Sequence, residues 1–356
     1  MIEVQIQLAN RRIGAGQPCF IIAEAGVNHN GDVQLAKELI YKAKEAGADC
    51  VKFQTFKAER IITATAPKAA YQLQTTDPQE SQMEMLRKLE LAMKVYGELL
   101  ALAKKLDIFF MSTPYSVEDV DFLTDIGVSA FKLASIQIVE PYLLRHAAQK
   151  GIPMIISTGM AYLSEIDTAL RTVRRTGNEQ IVLLQCTTNY PSRLEDTHLH
   201  AMVMMRDAFG TLVGYSDHTQ SDIACIAAVA LGACVVEKHF TLDKHLPGPD
   251  QSTSYDPQEF ARLVRAIRDT ELVLGRRIKE PTATEQANMM GMRRSIVAKR
   301  DLQLGEVLTA ADLTFKRPAN GLAPATLDAI VGRRLVRAVA ADACIDFADL
   351  GEYDGG

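Results

Sequence analysis

Short apolar stretches alternate with longer, helix-like patterns along most of the chain. Eight of these stretches are rich in β-branched and aromatic residues, and a segment with helical spacing of apolar positions follows each one. Alternation of this kind is typical of βα units around a parallel sheet. Because eight such units close a barrel, the pattern predicts a (β/α)8 TIM barrel. The stretches are CFIIAEAG, CVKFQTF, IFFMSTP, AFKLAS, PMIISTG, IVLLQCT, LVGYSD and CVVEKHF.

Two segments depart from the barrel pattern. Residues 57–92 separate the second strand from its helix and are far longer than the usual βα loop of about 2–6 residues, so we expect them to help build an active site. Beyond the eighth helix the pattern becomes polar and then changes to short β-like and helical stretches. We therefore expect a barrel over residues 1–275, a linker over 276–294 and a small α+β domain over 295–356. A domain this small has a thin core, and we expect it to dock against another surface.

Composition limits the classes of function. A net charge of -5 argues against a nucleic-acid partner, because such proteins rely on lysine and arginine contacts to phosphates. No apolar run approaches the roughly 20 residues needed to span a bilayer, so we expect no membrane partner and a cytoplasmic location. The six cysteines are scattered and form no CxxC pair, which favours reduced, buried thiols.

Polar side chains end every one of the eight predicted strands. Barrel enzymes place their reactive groups at the carboxyl ends of the strands, so these residues are the candidates for an active site. In strand order they are Glu24; Lys52 and Gln54; Ser112 and Thr113; Lys132 and Ser135; Ser157; Thr187, Thr188 and Asn189; Ser216, Asp217 and His218; and Glu237 and His239.

Lys52 and Lys132 lie inside apolar strands, where an unpaired ammonium group is costly. One interpretation is a structural ion pair with a carboxylate of the barrel. A second is a bound phosphate or carboxylate, which two lysines and nearby strand-end hydroxyls would suit. A third is a Schiff base on one desolvated lysine, as aldolase barrels use.

His218 and His239 end adjacent strands, where neutral imidazoles can converge on one metal ion. Histidines in such places also serve as catalytic acids or as hydrogen-bonded structural groups, and the spacing alone leaves these alternatives open. Glu24 and Asp250 are candidates to supply an oxygen ligand or to hold a water molecule.

Many segments of the chain, in the same order, resemble the sialic acid synthase family, the nonulosonate synthases. The segments AEAGVNHNGD, VKFQTFKAERI, STPYS, FKLAS, IISTGM, CTTNYP, GYSDHT, EKHFTLDK and PGPD carry the resemblance. The tail, SIVAKRDLQLGEVLTAADLTFKRPANG followed by VGRRL, is similar to the family's antifreeze-like (SAF) domain. The resemblance implies a transferase that joins phosphoenolpyruvate to an N-acylated amino sugar and releases phosphate and a nine-carbon sialic acid for surface polysaccharide or glycan biosynthesis.

The resemblance also implies roles for individual residues. It places a divalent metal, Mn²⁺ or Mg²⁺, on His218 and His239, and it gives Glu24 the task of orienting or deprotonating water. It implies a swapped homodimer in which Arg317 reaches the partner's barrel and contacts the acyl-amino group. The residues expected around the substrates are Lys52, Gln54, Thr113, Lys132, Ser135, Ser157, Tyr190, Ser216 and Asp250.

One position departs from the family pattern. Where the family usually has an acidic residue, as in KxxSGE, this chain reads KLASIQ and has Gln137, which can bind a sugar hydroxyl but cannot act as a base. The acceptor is therefore open among N-acetylmannosamine and the diacetamido-trideoxyhexose precursors of legionaminic and pseudaminic acids. A lysine-dependent aldolase using Lys132 and a non-enzymatic carbohydrate- or ice-binding protein are the competing functions.

Overall fold

The computed structural model describes residues 5–69, 72–77 and 79–353. Contacts within the chain divide it into two units, Met1–Gly275 and Arg276–Gly356. The first unit begins with an antiparallel hairpin of two short strands, β1 (Gln5–Leu8) and β2 (Arg11–Gly14), which the sequence pattern did not predict.

Eight parallel strands then form a closed barrel, as predicted. Each strand pairs with the next along the chain, and the last closes on the first, with His239 opposite Glu24. Both faces of these strands are covered, which explains their nearly continuous apolar sequences. The strands are β3 (Phe20–Gly26), β4 (Cys50–Thr55), β5 (Phe109–Pro114), β6 (Phe131–Leu133), β7 (Met154–Ser157), β8 (Ile181–Cys186), β9 (Leu212–Asp217) and β10 (Val235–His239).

Helices form the outer layer of the barrel. In the first of them, apolar residues recur at the spacing of one helical face (Ala36, Leu39, Ile40 and Ala43), and this face is buried against the strands. The long segment after β4 contains three short helices before the regular barrel helix. The helices of this unit are α1 (Val33–Glu45), α2 (Ala58–Ile61), α3 (Gln72–Thr75), α4 (Gln82–Lys88), α5 (Met93–Lys105), α6 (Val117–Ile126), α7 (Pro141–Ala148), α8 (Leu163–Arg174), α9 (Leu199–Phe209), α10 (Ile223–Ala230) and α11 (Pro257–Leu274).

The amino-terminal hairpin closes the end of the barrel at which the strands begin. Its apolar side chains, Ile6, Leu8 and Ile13, are buried and join a cluster of residues from the first halves of the strands. That cluster also contains Phe20, Ile22, Cys50, Met111, Ala130, Ile155, Val182, Leu184, Cys234 and Val235. The opposite end, where the strands finish, carries polar side chains.

The second unit is the small α+β domain expected at the carboxyl end of the chain. Its buried apolar cluster is small and includes Ile296, Leu302, Leu313, Ile330 and Ile345. The segment expected to be a linker contains a helix that Thr282 caps by accepting a hydrogen bond from the Glu285 backbone amide. The elements are α12 (Ala283–Met292), β11 (Ser295–Ala298), β12 (Leu313–Lys316), α13 (Leu327–Ile330), β13 (Arg333–Leu335) and β14 (Leu350–Tyr353).

Across the part of the chain that the structure describes, no helix combines the length and the apolar composition that crossing a bilayer requires.

Candidate active site

A cavity of about 270 Å³ opens at the carboxyl ends of the barrel strands. All but two of the fourteen residues expected at the active site line it, and they come from seven of the eight barrel strands or from the segments directly after the strands. Those that line it are Glu24, Lys52, Gln54, Thr113, Lys132, Ser135, Ser157, Tyr190, Ser216, His218, His239 and Asp250. The two that do not are Gln137 and Arg317.

Four buried charged side chains form a continuous chain of ion pairs on the cavity floor. Nζ of Lys52 lies 2.9 Å from Oε2 of Glu24 and 3.5 Å from Oε2 of Glu237. Nζ of Lys132 lies 3.3 Å from Oε1 of Glu237. Opposite charges alternate along this chain, which offsets the cost of removing each group from water. Both lysines therefore form the barrel ion pairs that were one interpretation of the sequence.

The two lysines differ in how well they are neutralised. Burial acts to lower the pKa of Lys52, but the carboxylates of Glu237 and Glu24 outweigh it and raise that pKa. Burial lowers the pKa of Lys132. The carboxylate of Glu237 offsets this only in part, and the positive charge of Lys52 lowers the pKa further. Burial opposes ionisation of Glu237, yet the nearby lysines bring its pKa down to about 2. Lys132, which pairs with one carboxylate where Lys52 pairs with two, is therefore the lysine that is more available to a bound anion.

Strand-end hydroxyl groups surround these charges. The Lys52 ammonium donates to Thr113 Oγ1 at 3.3 Å, and Ser216 Oγ donates to Glu237 Oε1 at 3.1 Å. Ser135 Oγ accepts a hydrogen bond from the Gly159 amide at 3.0 Å. The hydroxyl of Ser157 is buried and has no hydrogen-bond partner within the described residues. A buried, unpartnered hydroxyl is unusual, and here it faces a cavity large enough for a ligand.

The imidazole rings of His218 and His239 lie side by side, with their centroids 5.3 Å apart. Nδ1 of His218 donates to the carbonyl of Thr187, so its Nε2 is left to face other groups. Tyr190 packs against both histidines, with ring centroids 4.1 Å from His218 and 5.6 Å from His239.

The surroundings of His239 favour a neutral ring. Burial, followed by the charges of His218 and Lys52, lowers the pKa of His239 well below its ordinary value. Its Nδ1 is buried without a hydrogen-bond partner among the described residues and lies 3.9 Å from Oδ2 of Asp250. Burial and the charge of Glu24 raise the pKa of Asp250 to about 6.

These features fit a divalent metal held by few protein ligands. Within residues 5–69, 72–77 and 79–353, no three histidine, cysteine or acidic side chains converge as a closed structural site would require. Two neighbouring imidazoles, of which His239 has a ring nitrogen without a partner among the described residues, suit an open site that leaves positions for water or substrate oxygens.

Gln137 is placed differently from the expectation that it faces a sugar. Its amide nitrogen donates to the carbonyl of Pro114 at 2.6 Å, and its amide oxygen accepts from the backbone of Ala134 at 2.7 Å. The side chain is buried and both of its polar ends are bound to backbone. It therefore ties the turn after β6, Ser135–Val139, to the end of β5.

Arg317 lies in the second unit, directly after β12, and its side chain is exposed. Gln54, in contrast, lies on the cavity wall, where its amide nitrogen donates to Glu24 Oε1 at 3.0 Å and its oxygen accepts from the Tyr115 hydroxyl at 3.3 Å. Gln54 thus helps to fix the orientation of the Glu24 carboxylate.

Two features of the cavity had no role assigned to them from sequence. One is Glu237, a strand-end candidate that pairs with both lysines; it lies two residues before His239 on the same strand and so faces the same side. The other is an apolar wall supplied by the long segment after β4. Its side chains are Phe56, Ile61, Met85, Leu86 and Leu89.

Comparison with known proteins gives an independent line of evidence. The model of the NeuB family matches residues 39–279, and the model of the SAF domain matches residues 293–351. The chain is 47% identical to N,N'-diacetyllegionaminic acid synthase of Legionella pneumophila over 92% of this chain and 95% of the relative. It is 35% identical to pseudaminic acid synthase of Helicobacter pylori over 94% of this chain and 98% of that protein.

A solved structure has the same fold. The crystal structure of N-acetylneuraminic acid (sialic acid) synthetase from Leptospira borgpetersenii, in complex with citrate, superposes with a TM-score of 0.73. Its sequence is 34% identical, and the match covers 80% of this chain and 95% of that one.

Proposed function

The chain belongs to the NeuB family, and on that premise we propose that it condenses phosphoenolpyruvate with an N-acylated amino sugar to give a nine-carbon nonulosonic acid and phosphate. One observation carries this proposal most directly. A single cavity contains two buried lysines, an unpartnered serine hydroxyl and two adjacent histidines, which is the combination that an anionic substrate and a metal-dependent carbonyl addition require.

The cationic side of the cavity is the proposed site for phosphoenolpyruvate. Lys52 and Lys132 would bind its phosphate and carboxylate groups, since charge-assisted hydrogen bonds in a dry site are strong. The hydroxyl groups would complete the binding: that of Ser157 has no partner among the described residues, and Thr113, Ser135 and Ser216 line the same cavity as the lysines. Tyr190 and Asp250, on the histidine side, would face the sugar.

His218 and His239 would hold the divalent metal, Mn²⁺ or Mg²⁺, whose chemistry is to polarise the carbonyl of the open-chain sugar aldehyde. The new bond joins C3 of phosphoenolpyruvate to that aldehyde carbon. Water then adds at C2, and the C–O bond to phosphate breaks. Glu24, held by Gln54 and Lys52, would orient this water and accept its proton; burial raises the pKa of its carboxyl, which supports a role as a base.

The proposed acceptor is a six-carbon sugar with two acetamido groups, the precursor of N,N'-diacetyllegionaminic acid. The identity of 47% to a synthase of that acid, against 35% to a pseudaminic acid synthase and 34% to a sialic acid synthetase, supports this choice over the pseudaminic acid precursor and over N-acetylmannosamine. The test is to supply phosphoenolpyruvate and Mn²⁺ with each of the three acceptors in parallel, and to measure phosphate release and product mass. If the enzyme turns over another of these sugars preferentially, the proposed acceptor is wrong. If protein that binds Mn²⁺ releases no phosphate with any of the three sugars, the proposed reaction is wrong.

A lysine-dependent aldolase is the second candidate, because the lowered pKa of buried Lys132 suits an amine that attacks a carbonyl. Borohydride treatment in the presence of pyruvate separates the two functions. A covalent adduct of pyruvate on Lys132 would favour the aldolase. The synthase predicts no adduct, and phosphate release that stops with chelator and returns with Mn²⁺.

We further propose that the enzyme works in the cytoplasm as a swapped homodimer in which Arg317 contacts the acyl-amino group in the partner's barrel. The free, mostly buried cysteines support a reducing compartment, and the exposed side chain of Arg317 supports an intermolecular role. Mixing Arg317→Ala with His218→Ala subunits should restore part of the activity through hybrid dimers. Failure to do so, once subunit exchange has been demonstrated, would count against the swap.

A further inference from the structure

Two charged residues, Asp217 and Lys238, directly precede His218 and His239 in the sequence, but their side chains point away from the cavity. At the end of β9, Ser216 and His218, the residue that follows the strand, alternate with Asp217; on β10, Glu237 and His239 alternate with Lys238. Side chains on a strand point alternately to its two faces, so Asp217 and Lys238 point away from the cavity and into the helical layer. The strand register places the two residues opposite each other.

Lys238 is completely enclosed in this layer. Its Nζ lies 2.7 Å from Oδ2 of Asp217, and the two side chains are 1% and 0% exposed. The same ammonium donates to the carbonyl of Thr219 and lies 4.2 Å from the ring centroid of Tyr255. An ammonium group without water thus has a carboxylate, a carbonyl and an aromatic face as partners.

Both carboxylate oxygens of Asp217 also accept hydrogen bonds. One oxygen accepts from the Thr219 amide at 2.8 Å and the Tyr215 hydroxyl at 3.1 Å. The other accepts from Lys238, from the Thr219 hydroxyl at 3.2 Å and from the Cys225 thiol at 3.2 Å. Carboxylates with this many donors hold their surroundings in one arrangement.

These bonds fix the backbone on both sides of each histidine. His218 lies between Asp217 and Thr219, and Thr219 is held through its amide, its hydroxyl and its carbonyl. His239 follows Lys238 directly, and its carbonyl accepts from the amide of Tyr255, the residue whose ring covers the Lys238 ammonium. One ion pair thereby connects the two strand ends that carry the imidazoles.

We propose that the Asp217–Lys238 pair is a positioning device that sets the separation of His218 and His239 for a shared divalent metal. The inference rests on the proposed function, because it takes the two histidines as metal ligands. Packed apolar residues commonly replace a buried ion pair at no cost in stability, so stability alone gives little reason for one here. Groups hydrogen-bonded to metal-ligating side chains typically change metal affinity by about 10- to 100-fold when they are removed, and for a pair that acts through the backbone we take the lower end of this range.

The test measures Mn²⁺ affinity directly, with free Mn²⁺ counted by electron paramagnetic resonance, in the full-length protein. The main variant, Asp217→Asn with Lys238→Met, removes both charges together and so leaves no unpaired buried ion. Thr219→Val is a milder variant that removes one hydroxyl contact to Asp217. The matched control is Asp49→Asn, which removes a carboxylate bound to Arg11, Arg268 and the Ile21 amide where the strands begin, at the other end of the barrel.

The proposal expects the Kd for Mn²⁺ to rise by about tenfold or more in the double variant. The rise should be smaller in Thr219→Val and absent in Asp49→Asn, even where the control lowers Tm as much. If the double variant does not fold, the ranking of Thr219→Val above Asp49→Asn decides the question.

Unchanged Mn²⁺ affinity in both the double variant and Thr219→Val, with affinity lost in His218→Ala, would overturn the positioning role and leave the metal site standing. Wild-type affinity in both His218→Ala and His239→Ala would instead overturn the metal site, and with it this inference.

Discussion

Nζ of Lys132 lies 3.3 Å from Oε1 of Glu237, and both side chains are almost inaccessible to water. A substrate anion that binds Lys132 must therefore share it with a carboxylate already in place. The charges on this floor of the cavity balance one another through the protein's own ion pairs, so its folding needs no bound anion.

Glu237→Gln should destabilise the protein strongly. The substitution leaves two buried ammonium groups with Glu24 as their remaining carboxylate, and breaking a buried pair costs about 3–5 kcal/mol of unfolding free energy. Chemical denaturation at neutral pH measures the change. Glu98→Gln, which breaks the surface pair with Lys37, is the control and should have a much smaller effect. Equal losses of unfolding free energy in the two variants would show that the buried ion pairs of Glu237 contribute no more to stability than a surface pair does.

Ser157→Ala should weaken phosphoenolpyruvate binding without harming the fold. The hydroxyl has no hydrogen-bond partner to lose among the described residues, whereas a hydrogen bond to a charged ligand is worth about 1.5–3 kcal/mol, or roughly a tenfold or greater rise in KM. Steady-state kinetics and thermal melting provide the two measurements.

Ser112→Ala is the matched control for Ser157→Ala. Ser112 is also a buried serine on a barrel strand, but its hydroxyl is bonded to Thr55 Oγ1 at 2.6 Å. Its removal should cost about 1 kcal/mol of stability and leave KM unchanged. The opposite pattern, stability lost at Ser157 and KM raised at Ser112, would contradict the assignment.

Gln137→Glu should act on stability rather than on sugar affinity. A carboxylate at this position can still accept from the Ala134 amide but cannot donate to the Pro114 carbonyl, so about 1–3 kcal/mol should be lost. Gln180→Glu is the control, because that exposed amide donates to the Gly151 carbonyl at 3.3 Å and its loss should matter little. A raised KM for the sugar with unchanged stability would show that Gln137 faces the acceptor after all.

Leu8→Ala should unfold the barrel more readily although residue 8 is far from the catalytic end. The side chain is fully buried in the hairpin that closes the start of the barrel, and truncating such a leucine typically costs about 2–5 kcal/mol. Activity per folded molecule should be unchanged. Leu272→Ala, at a position that is 79% exposed, is the control and should have no measurable effect on Tm.

The barrel could be predicted because strands that are buried on both faces have nearly continuous apolar sequences. Strands such as Phe20–Gly26 are apolar at nearly every position, and polar residues appear where the strands end. The hairpin β1–β2 was not predictable in the same way. Its strands have four residues each, and the alternation of exposed Gln5 and Gln7 with buried Ile6 and Leu8 is too short to stand out. Its stability comes from packing on the barrel, which a local pattern does not contain.

The candidate site divides along similar lines. Alternation along the strands separates the strand-end candidates. Lys52, Ser157 and Glu237 line the cavity. Ser112 and Asp217, which were candidates on the same grounds, lie out of phase with these residues on their strands and do not line it. Gln137 lies in a turn of 3₁₀ helix after β6, where no simple alternation holds. Its direction depends on the Pro114 carbonyl, which is distant in sequence and near only in the folded chain.

The apolar wall built by Phe56, Met85 and Leu89 belongs to a segment outside the regular βα repeat, whereas the charged and hydroxyl groups belong to the strands. The apolar wall and the charged groups are thus encoded in separate stretches of the gene. Substitutions within residues 56–92 change the wall while the strand framework stays intact, so a library confined to this segment tests directly whether the wall contributes to the choice of acceptor.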